Sequence, residues 1–158
     1  MAEWTAFETE LGWIALGWSD RGLSRLHLAG RERPEICEGE PPEWVREGVA
    51  ALRDHLAGKH VELSTIPLDL DGLAPFTRRV LEALRTTAPG ETFTYGQLAR
   101  MVGSPGAARA VGQVMARNPL PILIPCHRVV AANGPGGFSL FGSLETKTRL
   151  MTLESVRE

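Results

Sequence analysis

Residues 94–115, Thr94-Tyr95-Gly96-Gln97-Leu98-Ala99-Arg100-Met101-Val102-Gly103-Ser104-Pro105-Gly106-Ala107-Ala108-Arg109-Ala110-Val111-Gly112-Gln113-Val114-Met115, read as two short helices joined by a tight turn. Thr94 with Gln97 three positions later is a capping box, in which each side chain satisfies a backbone donor that a first helical turn leaves open. The helix it opens stops at Gly103. Ser104-Pro105 is read as the cap and start of the next helix, whose Ala108, Val111 and Met115 share one face. That helix ends near Asn118-Pro119. The pair makes a helix-turn-helix pattern. In the second helix Gly106, Ala107 and Ala108 are small enough for a backbone to approach DNA closely. Arg109 is the one long side chain before Gly112, suited to enter a base stack as a wedge. The plainer reading of Arg109 is a surface ion pair.

Just downstream lies Pro121-Ile122-Leu123-Ile124-Pro125-Cys126-His127-Arg128-Val129-Val130. Ile122, Leu123 and Ile124 read as strand-like and apolar, hence as core. Pro125 lacks a donor and ends any regular ladder. The thiol of Cys126 is therefore expected on a rigid edge, with His127 as a base beside it and Arg128 adding positive charge that favours thiolate. On its own this segment suits a hydrolase, a redox site or a buried thiol.

Towards the N-terminus the pattern is different. Residues 4–8, 12–19 and 23–28 alternate as strands with turn signals between them. Val45, Val49, Leu52 and Leu56 recur at helical spacing before Gly58, and residues 61–63 suggest a further short strand. The Pro-, Gly- and Asp-bearing stretch 66–75 reads as a linker, so the expected division is an N-terminal lobe 1–65, a linker 66–74 and a C-terminal domain 75–158. In the latter, Phe76, Val80, Leu81 and Leu84 make one apolar stripe, and a last helix from about residue 144 puts Lys147, Leu150 and Glu154 on one side.

The chain has 158 residues, 43% of them hydrophobic, and a net charge of −2. That is ample for a packed core, and no apolar run is long enough to span a membrane. No export signal is visible, so Cys37 and Cys126 are expected reduced in an intracellular, cytoplasmic protein. Cys37 lies among Glu35, Glu38 and Glu40. The net charge conceals a split: residues 1–72 carry 7 Lys and Arg against 14 Asp and Glu, and residues 73–158 carry 10 against 5. A basic half that also contains a helix-turn-helix pattern points to nucleic acid.

Pro125-Cys126-His127-Arg128-Val129 after Asn118-Pro119, with Ala108-Arg109-Ala110-Val111-Gly112 and Thr94-Tyr95-Gly96-Gln97-Leu98-Ala99, resembles the O6-alkylguanine-DNA alkyltransferases. The resemblance is close over residues 75–154; the N-terminal third resembles the family only in its pattern of strands and one helix. It implies an α/β protein with an N-terminal ribonuclease-H-like lobe, a small sheet plus a helix, and a C-terminal winged-helix lobe that binds DNA. It implies single-turnover repair of double-stranded DNA: a flipped-out O6-alkylguanine gives its alkyl group irreversibly to a cysteine, with no cofactor. By position, Cys126 is the acceptor. His127, through a water, is the base, and Glu154 is its orienting partner. Tyr95 assists the leaving base and, at a helix start, contacts phosphate. Ser139 reaches O6, and the backbone carbonyls of Cys126 and Val129 accept from the exocyclic amine. Asn118 links the recognition helix to the active-site segment. Arg109 fills the gap left by the extruded base, and Ala107, Ala108 and Arg128 complete the DNA contact. A monomer is implied, with cooperative assembly on DNA left open.

Departures are visible. Gln113 stands where many relatives have a small residue, and Phe138, Leu140 and Phe141 make the 136–142 loop bulky. His27, His55, His60 and Cys37 have no zinc-ligand spacing. The competing readings are a lesion sensor without transfer, a helix-turn-helix regulator and a cysteine hydrolase. Cys126 itself argues against the sensor, since such proteins replace the acceptor cysteine.

Overall fold

The structure, a computed structural model, describes residues 3–132 and 144–156. It divides into two compact units, Met1–Asp71 and Gly72–Glu158.

In the first unit, strands β1 (Glu3–Thr9), β2 (Gly12–Trp18) and β3 (Leu23–Gly30) form an antiparallel sheet in that order. Gly12 closes the β1–β2 hairpin at φ +105°, a conformation open to a residue without Cβ. The central strand β2 is buried from Ile14 to Trp18. One of its faces is covered by Trp4, whose indole stacks on His27 and lies 3.2 Å from where a Cβ on Gly17 would sit. Helix α1 (Glu43–Leu56) buries Val45, Gly48, Leu52 and Leu56, the 3.6-residue stripe expected of a helix with one side in a core. Residues 61–63 form no strand. The edge of β3 is met instead by Leu68: Leu23 N–H donates to Pro67 O at 2.9 Å and Asp69 N–H to Leu23 O at 2.8 Å. Gly22 permits this approach, because a Cβ there would lie 2.6 Å from the Leu68 backbone.

The second unit is mainly helical. Helix α2 (Pro75–Arg85) buries Val80, Leu81 and Leu84. The two-residue strand β4 (Phe93–Thr94) runs into α3 (Tyr95–Met101), followed by α4 (Ala108–Ala116), β5 (Val129–Val130) and α5 (Leu144–Val156). The capping box at Thr94 forms in full, with Gln97 N–H on Thr94 Oγ1 at 3.1 Å and Thr94 N–H on Gln97 Oε1 at 2.8 Å. Ser104-Pro105 does not cap the next helix. Ala107 N–H bonds back to Ser104 O at 2.9 Å, so these residues form a separate turn and α4 begins later, at Ala108. Its buried face is Val111, Val114 and Met115. The molecule is thus of the expected mixed α/β class: a small sheet with a helix, then a helical lobe with a helix-turn-helix. Among the described residues no helix is long and apolar enough to cross a membrane.

Candidate active site

The segment after α4 is a buried turn, not the strand its apolar residues suggest. Ile122 sits at φ +77°, which for a β-branched residue carries strain of roughly 1–3 kcal/mol. Asn118, 3% exposed, holds this turn from within. Its Oδ1 accepts from Leu120 N–H at 3.0 Å, and its Nδ2 donates to Ile124 O at 2.9 Å. Ile124 N–H closes the loop onto Leu120 O at 2.8 Å. Pro125, at φ −79° and ψ 66°, is the centre of an inverse γ-turn in which Cys126 N–H donates to Ile124 O at 2.8 Å. A single 3-10 turn, Cys126–Arg128, follows. Side chains and backbone together thus fix the Cys126 Cα.

Around the thiol lies a chain of buried polar groups. His127 is 1% exposed, and its Nε2 bonds Glu154 Oε1 from α5. Arg128 turns inward as well, with Nε at 2.9 and 2.8 Å from the two Glu154 oxygens and Nη1 at 2.7 and 2.8 Å from Thr87 O and Oγ1. This corrects the expectation that Arg128 meets DNA: 8% exposed, its guanidinium serves internal partners. Lys147 is buried too, and its Nζ donates to Val129 O at 2.8 Å. The Val129 carbonyl expected to meet the base therefore already has one donor; a carbonyl oxygen has a second lone pair for another.

Burial pushes the Cys126 thiol up to about 11, against the hydrogen bond from Asn118 and the charge of Lys147. The cation acting on the thiol is accordingly Lys147, not the Arg128 that the sequence suggested. His127 is held below its usual value, chiefly by burial, with Glu154 opposing and the charges of Arg128 and Lys147 assisting. For Glu154, burial pushes up, but the hydrogen bond and charge of His127 and the charge and hydrogen bond of Arg128 prevail and hold it below the carboxylate range. At neutral pH the set is therefore thiol, neutral imidazole and carboxylate. Glu154 accepting at Nε2 fixes the tautomer in which Nδ1 bears the lone pair.

The strand pair connects this set to the helix-turn-helix. β5, which begins at Val129, pairs in parallel with β4, and β4 leads into the capped start of α3. Tyr95 is the first residue of that helix, half-buried, and its ring lies beside Gly112 of α4. Arg109 stands exposed in the first turn of α4, without an ion pair among the described residues, and Ala107 and Ala108 are half-buried next to it. Cys126, His127, Glu154 and Asn118 are thus gathered, whereas Arg109, Ala107 and Ala108 form a separate surface. Ser139 and the bulky loop 136–142 lie outside the described residues. No three of His, Cys, Asp and Glu converge as a metal set among the described residues. Sequence reasoning gave no role to Lys147 or Thr87. For Lys147 the signal was available, since a lysine on the same helical side as Leu150 and Glu154 faces inward.

Residues 75–156 match the family model described as 6-O-methylguanine DNA methyltransferase, DNA binding domain. The chain is 47% identical over 152 residues to a methylated-DNA–protein-cysteine methyltransferase of Mycobacterium leprae, covering 94% of this chain and 90% of that protein. It is 38% identical over 157 residues to the protein of that name from Mycolicibacterium paratuberculosis, covering 98% and 93%. The crystal structure of Mycobacterium tuberculosis OGT in complex with DNA superposes with a TM-score of 0.84 at 33% identity, covering 98% of this chain and 94% of that one.

Proposed function

The chain belongs to the 6-O-methylguanine DNA methyltransferase family, and from that premise we propose that it repairs O6-alkylguanine in double-stranded DNA by moving the alkyl group onto Cys126. The observation that carries this reading is the buried set in which a rigidly held thiol adjoins a neutral imidazole oriented by a carboxylate. Such a set is what a protonated thiol needs in order to attack, because the thiolate is the nucleophile.

Sulfur attacks the alkyl carbon in line, the C–O6 bond breaks, and its electron pair stays with the guanine. The thiol proton passes through a water to Nδ1 of His127, whose developing charge Glu154 stabilises. The Tyr95 hydroxyl donates its proton to the departing guanine, and the proton held on His127 replaces it through solvent. The one proton lost by the thiol is thus the one gained by the base, and Tyr95 and His127 return to their starting states. Ser139 contacts O6, while the carbonyls of Cys126 and Val129 accept from the exocyclic amine. Since the new C–S bond is a stable thioether, each molecule reacts once, and no cofactor takes part. The alkylated atom lies inside the stack, so the nucleotide is flipped out; Arg109 fills the gap while Ala107 and Ala108 let α4 approach the minor groove. The protein works as a cytoplasmic monomer, since one copy suffices for one lesion.

The test is stoichiometry. A duplex with one O6-methylguanine, titrated with protein, is expected to show guanine restored in an amount equal to the protein added, with no further turnover. Repeated turnover, or lesion binding without restoration, would overturn the reading.

A further inference from the structure

Arg128 is among the most fully engaged side chains of the second unit. Its Nε is shared between both oxygens of Glu154, and its Nη1 between Thr87 O and Oγ1. Thr87 is itself fixed, its hydroxyl donating to Leu84 O at 2.6 Å and its N–H to the same oxygen at 3.1 Å. The arginine thus ties the carboxylate of α5 to the C-terminal end of α2, where the helix carries partial negative charge. Resting on the function proposed above, we infer that Arg128 is a positioning residue of the transfer reaction: by holding Glu154 as an ionised, immobile acceptor it fixes the tautomer of His127.

Without Arg128, Glu154 would lose its ionised form. At 1% exposure, a carboxyl with no cation beside it is driven towards its neutral form. A neutral carboxyl donates a proton to Nε2 instead of accepting from it. The imidazole then carries its hydrogen on Nδ1 and has no lone pair there to receive the thiol proton. The positive charge of Arg128 prevents this, and it also opposes premature protonation of His127. Lysine supplies the charge but has a single nitrogen, which does not span Glu154 and Thr87 together.

The structure also offers an entry for a substitute. A cavity of about 380 Å³ lined by Gly90, Glu91, Thr92, Thr148, Met151 and Thr152 reaches both Arg128 and Glu154. A guanidinium ion from solution therefore has a route to the place that a truncated Arg128 would vacate.

The experiment measures single-turnover transfer from a saturating O6-methylguanine duplex as a function of pH, at constant ionic strength. Arg128→Gln is expected to slow transfer about 10²-fold and to move the acid limb of the profile up by about one unit. Arg128→Lys is expected to return the limb towards wild type while recovering only part of the rate. In Arg128→Ala, added guanidinium chloride is expected to raise the rate at least about tenfold, and urea, of the same shape without charge, to leave it unchanged. Should Arg128→Ala not fold, Thr87→Val provides the test: it removes one acceptor of Nη1 and is expected to slow transfer severalfold with lesion binding unchanged. A wild-type rate and acid limb in Arg128→Gln, or equal rescue by urea and guanidinium, would overturn the inference. If the wild-type protein itself transfers no methyl in this assay, it is the functional reading that fails.

Discussion

Among the described residues, the unit Met1–Asp71 pairs its charges at the surface, whereas Gly72–Glu158 takes several of its own inside. In the first unit Arg46 pairs with Glu40 and Glu43, and Lys59 with Asp54, all with exposed side chains, over a core of Ile14, Leu16, Val45 and Leu52. In the second, Asn118, His127, Arg128, Lys147 and Glu154 are all buried. Buried ion pairs seldom stabilise a fold relative to well-packed hydrocarbon, because desolvation offsets attraction. The polar interior of the second unit therefore marks the place where chemistry has been favoured over stability. The first unit is stabilised by ordinary hydrophobic burial.

Substitutions break this contrast from both sides. The largest effect is expected at Cys126: Cys126→Ser should retain lesion binding and lose transfer altogether, while Cys37→Ser in the exposed acidic segment should leave the rate unchanged. Equal loss from both would erase the distinction between the units. Next comes Glu154→Gln. It strands Arg128 without a counter-charge and removes the ionised acceptor of His127, so transfer should slow about 10²-fold. Its unfolding free energy, read from denaturant titration, should fall by roughly 3–5 kcal/mol. Leu52→Ala in the first unit should cost a similar amount, about 2–5 kcal/mol, through a cavity, yet leave the chemical step intact at a temperature where the protein stays folded. At the small end, Arg46→Ala should change stability by less than about 1 kcal/mol.

Stability should also depend on pH through the second unit, and the sign follows from the shifts. His127 and Glu154 both titrate lower folded than unfolded, so the unfolded chain binds more protons in acid and stability rises with pH. Their contribution is complete above the usual histidine value of 6.5; it falls first as His127 protonates and then, below 4.5, as Glu154 does. Cys126 acts in the opposite sense. Its contribution is present below 9 and is lost as pH rises towards about 11. Denaturant midpoints from acid to alkaline pH should trace both losses, and Cys126→Ala should lack the alkaline one.

The same contrast explains how much the sequence disclosed. Strands β1 to β3 are readable from their β-forming residues and the turn signals between them, although β2 is buried continuously from Ile14 to Trp18, and α1 shows its stripe because one side lies in the core. The capping box at Thr94 is local chemistry and equally readable. What eluded the sequence depends on distant partners. Ile122, Leu123 and Ile124 resemble a strand by composition, but Asn118 draws them into a turn through bonds that no hydrophobic period records. Arg128 reads as a surface cation until Glu154, 26 residues away, is seen to bury it. The inward side of α5 carries Lys147 and Glu154 beside Leu150, so its hydrophobic pattern is nearly flat while its position in the site is central.

The polar interior of the second unit prepares one thiol for one transfer. The most direct test is to react the intact protein with a duplex containing O6-methylguanine, digest it, and locate the added methyl by mass spectrometry. The methyl is expected on the peptide containing Cys126, one per protein, with the Cys37 peptide unmodified. A methyl on Cys37, or restored guanine with Cys126 unchanged, would contradict the account.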